Sequence, residues 1–181
     1  MAAVLLAVLT VTACGGSGTA PESAPSTTAT STTPTVTEKP SPDPSSEAAK
    51  AALDAYLGFR RAQVAAEATA DAGNTDLAKY AGDKALADER VSLVEMAKAG
   101  VVMTGEPIFH PEVTDVSLGT SPTVTITDCI DRATWTPIYQ ATGKSAIAPN
   151  QPERLLAIAQ ARPYGDGWVI TDITTDRSRT C

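Results

Sequence analysis

The chain has 181 residues, of which 43% are hydrophobic and 19% charged, and a formal net charge of −7. Its longest run of positive charge is the pair Arg60-Arg61. An acidic chain without a basic stripe argues against nucleic acid as a partner and against polybasic contact with anionic lipid. Three cysteines and a single histidine, His110, are too few at too long a spacing to suggest a zinc centre.

The chain opens with "MAAVLLAVLTVTA", which is apolar and uncharged. Thirteen residues are too few to span a bilayer and fit the apolar stretch of a signal peptide. Val11-Thr12-Ala13-Cys14 then resembles the bacterial lipoprotein signal, Leu/Val–small–small–Cys. Small residues before the cut let the backbone enter the peptidase. The Cys14 thiol is the nucleophile that accepts diacylglycerol, and Gly15-Gly16 keep the new N-terminus unhindered. The resemblance implies residues 1–13 as a removed signal, Cys14 as the lipid attachment site carrying fatty acyl chains such as palmitate, and a location on the outer face of the cell membrane. An ordinary signal cut nearby would instead leave Cys14 incidental. No Lys or Arg precedes the apolar stretch, so translation is expected to start upstream of Met1.

Residues 14–46 read as a linker. Between residues 15 and 46, 24 of 32 are Gly, Ser, Thr or Pro, and Val36 is the sole large apolar side chain. Such a composition cannot offset the entropy of ordering the backbone. Its reach lies between about 30 Å as a flexible coil and about 100 Å as extended polyproline. The same composition suits a plain spacer or O-glycosylation.

From Ser46 the period becomes helical. Leu53, Tyr56, Leu57 and Val64 fall near one stripe, Ser45 or Ser46 is the expected cap, Glu47 suits the positive end of the helix, and Gly73-Asn74 the end. Thr75 is placed to cap a short second helix. Gly82 separates it from a longer one carrying Leu86, Val91, Val94 and Met96, which Gly100 terminates. After Gly100 the period changes to that of strands. "VVMTGEPIFH" and "EVTDVSLG" meet at Pro111, and in "TVTITDCIDRATW" Val124, Ile126 and Ile130 point one way, with Thr123, Thr125, Thr127 and Cys129 the other. Residues 136–153 read as a loop, and "RLLAIAQARPY" and "WVITDITTD" flank the hairpin signal Gly165-Asp166-Gly167. Helices followed by four or five strands predict an α+β domain over residues 47–181, with helices on one face of a curved antiparallel sheet.

That order resembles the cone-shaped, cystatin-like fold of the nuclear-transport-factor-like and ketosteroid-isomerase superfamily. It is more closely similar to secreted actinobacterial lipoproteins of that fold, through Asp128-Cys129-Ile130-Asp131, "GDGWVITDI" and the terminal Arg179-Thr180-Cys181. The resemblance implies no established activity and no cofactor. Folds of this kind often pair through the sheet face, so a homodimer is one expectation.

With Cys14 set apart, Cys129 and Cys181 remain as an even pair, expected to be oxidised in an exported protein. Closing a loop of about 50 residues is worth roughly 4 kcal/mol in the chain-entropy model. Free thiols or a metal pair are the alternatives. Related enzymes use an Asp inside the cone with a Tyr or His partner. The corresponding candidates are Asp128, Tyr56 and His110, with Tyr80 also on a helix. Asp128 could instead pair with Arg132 or a turn amide. Asp115, Asp128 and Asp131 lack the dense oxygen spacing of a calcium loop. Trp135 and Trp168 are expected to fill the core or cover the sheet. Two functional readings stand: a non-catalytic envelope lipoprotein that binds a protein, a wall component or a small apolar ligand, and an isomerase-, hydratase- or cyclase-like enzyme. A deep pocket containing Asp128 or a buried Tyr near a second polar group would favour the second, and a cone filled by its own side chains the first.

Overall fold

The computed structural model describes residues 43–176, Arg179 and Cys181. The apolar leader, the Cys14 lipid site and the linker up to residue 42 lie outside the described residues. Three helices come first, α1 (Pro44–Glu67), α2 (Leu77–Tyr80) and α3 (Asp83–Ala99). Six strands follow, β1 (Val101–Thr104), β2 (Pro111–Ser117), β3 (Thr123–Asp131), β4 (Thr136–Tyr139), β5 (Arg154–Tyr164) and β6 (Gly167–Asp176). The domain is α+β, with an antiparallel four-stranded sheet in the order β2-β3-β5-β6 and a separate antiparallel β1-β4 pair.

Helix α1 starts earlier than the sequence suggests. Asp43, not a serine, is the cap: its side chain accepts from the Ser45 N–H at 3.0 Å, and Pro44 fills the first helical position, where a missing N–H costs nothing. Residues 44–46, read as linker, are thus its first turn. The helix also ends earlier, at Glu67. Its buried stripe is mostly small, with Ala48, Ala52, Ala55, Ala62 and Ala66 around Tyr56 and Phe59. Leu53, Leu57 and Val64 are only half-buried. Gly58 belongs to that close packing, because a Cβ there would overlap the Tyr80 ring of α2.

Helix α3 begins after Gly82 and ends at Gly100, whose φ of 63° is the left-handed conformation that closes a helix. Its buried positions are Ala85, Glu89 and Leu93. Val91 and Val94 face outward, at 63% and 40% exposure, because they lie on the side of the helix opposite the Ala85-Glu89-Leu93 stripe.

Strand β3 is buried at every second residue, so Val124, Ile126, Asp128 and Ile130 all face the helices. On β5 the inward residues opposite are Ala161, Ala159, Ala157 and Leu155. This run of alanines lets α1 lie close to the sheet. Register shifts at Val113/Asp115 and Gln160/Ala161 bend the sheet around the helices. Gly165-Asp166 forms the two-residue turn between Tyr164 and Gly167. Strand β4 lies inside the stretch read as a loop: four turn-flanked residues become a strand by pairing with β1, from Val101↔Tyr139 to Thr104↔Thr136. Cys129 and Cys181 are joined by a disulfide with Cα atoms 5.8 Å apart, strapping the end of the chain to β3.

Candidate functional site

A single row of polar side chains runs through the otherwise apolar contact between α1 and the sheet. It starts at Asp128 on β3, fully buried, one of whose oxygens accepts from the Tyr56 hydroxyl at 2.6 Å. The other accepts from the backbone N–H of His110 at 2.7 Å. Tyr56 Oη in turn accepts from Arg60 Nε at 2.8 Å. Burial, ahead of the Asp128 charge, pushes the Tyr56 phenol well above its ordinary range despite the opposing Arg60 charge. The Arg60 guanidinium carbon lies 4.9 Å from the Tyr56 ring centroid and 5.5 Å from that of Phe109, cation–π contacts that help hold a buried cation. Arg60 Nη1 donates to Gln63 Oε1 at 2.7 Å. The Gln63 amide nitrogen then donates to Glu67 Oε1 at 3.1 Å and to Glu89 Oε2 at 2.8 Å.

The row therefore ends at two carboxyls facing one amide nitrogen. Both are nearly buried, Glu67 at 8% exposure and Glu89 at 7%. Burial, followed by the neighbouring Glu89 charge, pushes Glu67 up to about 8, and burial raises Glu89 in the same sense. Two carboxyls so placed cannot both ionise cheaply, so Glu67 keeps its proton into the neutral range.

This end of the row opens into a cleft of about 440 Å³, within the range of small-molecule sites. Arg60, Gln63, Glu67, Glu89 and Arg132 line its polar side, and Met96, Met103, Ile130, Trp135, Leu155 and Ile173 its apolar side. A smaller cleft of about 170 Å³ adjoins it and shares Arg132, Trp135 and Gln151. Trp135 is held by a turn whose N–H-to-carbonyl bond runs from Trp135 to Arg132 at 3.0 Å. Gly105, at φ 79°, lets the chain pass against that turn, because any Cβ would strike the Thr134 carbonyl. Among the described residues, three buried side-chain polar atoms lack a hydrogen-bond partner, and all belong to residues lining the larger cleft: Arg60 Nη2, Glu89 Oε1 and Trp135 Nε1.

The residues singled out in the sequence thus divide. Tyr56 and Asp128 come together in the core but do not line the cleft, and both oxygens of Asp128 are occupied. His110 contributes its backbone N–H to that pair, and its side chain is exposed. Tyr80 packs on α1 at Gly58. Asp131 accepts from the Ala133 N–H at 3.1 Å and pairs with Arg154 at 3.3 Å, while Asp115 is exposed at the β2 bulge. No group of three or more His, Cys, Asp or Glu able to hold a metal occurs among the described residues. Trp168 is half-buried against the core. Arg60, Gln63, Glu67 and Glu89 went unread in the sequence. Their signal is the spacing Tyr56-Arg60-Gln63-Glu67, which follows one helical stripe, and a glutamate midway between the inward Ala85 and Leu93.

No protein-family model matches the chain, and no curated protein matches it. Among solved structures it is similar to the crystal structure of the intermembrane space region of the chloroplast protein ARC6. That likeness has a TM-score of 0.43 and 13% identity, and covers 77% of this chain and 100% of that one. A likeness at that level says nothing about what the cleft holds.

Proposed function

We propose that the chain is an extracytoplasmic lipoprotein, tied to the outer face of the cell membrane through Cys14, whose nuclear-transport-factor-like domain binds a small molecule in the cleft beside Glu67 and Glu89. The observation that carries the reading is the cleft itself, where a buried polar row ends and three polar atoms lack partners. Buried polar groups are almost always paired, and each unpaired one costs about 1–3 kcal/mol. A cleft that retains three of them is suited to a ligand that supplies their partners. The Val11-to-Cys14 signal supports membrane attachment, and the Cys129–Cys181 disulfide supports an oxidising compartment.

A second reading, an acid–base enzyme of the isomerase or hydratase kind, is favoured by one observation. Glu67 lines the cleft and is pushed up to about 8, where a carboxyl can give and take a proton near neutrality. In that reading Glu67, rather than the candidates Asp128, Tyr56 or His110, is the acid–base group.

Native mass spectrometry of the lipoprotein extracted from its own membranes tests both. A small-molecule adduct is expected, and Ser92→Trp, a substitution of an exposed residue lining the cleft, should remove it. Conversion of the released compound by wild type but not by Glu67→Gln would favour the enzyme. No adduct, with equal release of wild type and Cys14→Ala into the medium, would overturn the proposal.

A further inference from the structure

We infer that the ligand of this cleft is a neutral, hydroxyl-rich molecule of the saccharide or polyol class, with its ring at the Arg60–Glu89–Trp135 wall; this rests on the cleft being a binding site. The unpartnered atoms are of both kinds. Arg60 Nη2 and Trp135 Nε1 are donors, whereas Glu89 Oε1 is an acceptor. They come from three separate places, α1, the turn after β3, and α3. A single carboxylate or ammonium head satisfies one kind of atom at one place. A set of hydroxyls satisfies all three, since each hydroxyl both donates and accepts.

Charge narrows the class further. Arg60 and Arg132 stand against the Glu67–Glu89 pair, while Asp88 is already paired with Lys84 at 2.8 Å, so charges of both signs face the cleft. An anionic ligand would meet the Glu89 carboxylate, and a cationic one would meet Arg60. The apolar side, with Met96, Ile130 and Leu155, suits the C–H faces of a sugar ring but leaves a fully apolar ligand opposite unpaired donors. The adjoining cleft, which shares Trp135 and Gln151, gives room for a second ring. Trp135 is only 9% exposed, so it offers no open stacking face. The three atoms are covered by their neighbours, so a ligand reaches them through side-chain rotation at the cleft wall, a common adjustment on binding.

The test uses the mature chain and three sets of probes. Neutral saccharides from one to four rings are presented on a glycan array, with hits measured by calorimetry. Gluconate and glucosamine are the charged counterparts, and N-phenyl-1-naphthylamine is the neutral apolar probe. Saturable binding of at least one neutral saccharide is expected, with at least tenfold weaker binding of the charged counterparts and loss of binding in Ser92→Trp. Glu89→Gln, which exchanges a carboxylate for an amide of the same shape, should weaken saccharide binding about tenfold. Uptake of the naphthylamine, abolished by Ser92→Trp, without any saccharide binding would overturn this inference and leave the binding site standing. Tighter binding of gluconate or glucosamine would also overturn it. Binding of no probe would remove both.

Discussion

The two ends of the polar row use the same kinds of group to opposite effect. At the core end, Asp128 has a partner on each oxygen, Tyr56 at 2.6 Å and the His110 N–H at 2.7 Å, and is fully buried. At the cleft end, Gln63 bridges Glu67 and Glu89, but Glu89 Oε1 and Arg60 Nη2 are left over. The first arrangement is complete and locks α1 to β3. The second is incomplete and borders open space. An acid on an inward strand position beside a tyrosine looks like chemistry in a sequence. In three dimensions, completeness of partners separates a structural carboxyl from one available to a ligand.

The largest expected effect tests the core end. Asp128→Ala leaves the Tyr56 hydroxyl and the His110 N–H buried without an acceptor and strips Arg60 of a neighbouring counter-charge. A buried donor left without its acceptor costs about 1–3 kcal/mol, and two are left here, so for a domain of this size the expected fall in Tm is roughly 10 °C. Glu89→Ala, by contrast, removes one oxygen that is already unpaired and one that shares the Gln63 amide with Glu67, and should cost less than about 2 kcal/mol. Thermal melts of the two variants check this. Equal losses would erase the distinction between the two ends.

The disulfide acts on the same core end, since Cys129 follows Asp128 directly. Non-reduced protein should have an intact mass two hydrogens below the reduced value. Reduction should lower stability by up to roughly 4 kcal/mol, the chain-entropy value for a loop of this length, while leaving binding in the cleft unchanged. A binding loss larger than the stability loss would mean that the strap also shapes the cleft.

Much of the fold was legible because its signals are periodic. The alternation of β3 placed Val124, Ile126 and Ile130 on one face, which is the inward one, and Gly82, Gly100 and Gly165 marked real boundaries. The face of α1 was not legible. Alanines weigh little in a hydrophobic pattern, yet they let a helix approach a sheet, and Leu53, Leu57 and Val64 drew attention away from them. Strand β4 was hidden because its strand character comes from pairing with β1 rather than from its own residues. The cleft carboxyls were hidden because a glutamate on a helix normally belongs to a solvated face. Only the tertiary contact of α1 with α3 turns Glu67 and Glu89 into a buried pair.

That pair makes the smallest and most specific prediction. Glu67 is raised to about 8 from the ordinary glutamate value of 4.5, first by burial and then by Glu89. The folded chain therefore holds a proton that the unfolded chain has released anywhere between these two values. The stabilising contribution is complete below about pH 4.5, is lost as pH rises toward 8, and is gone above that. Wild type should accordingly lose at least about 1 kcal/mol, or roughly 2–4 °C in Tm, between pH 5 and pH 8 from this site. Glu67→Gln keeps the shape and cannot ionise, so it should flatten the decline and melt higher than wild type at pH 8 while matching it near pH 5. A residual slope is expected from Glu89, which burial raises in the same direction. Parallel pH profiles for wild type and Glu67→Gln would mean that Glu67 holds no such proton, and the contrast between the two ends would then rest on hydrogen bonds alone.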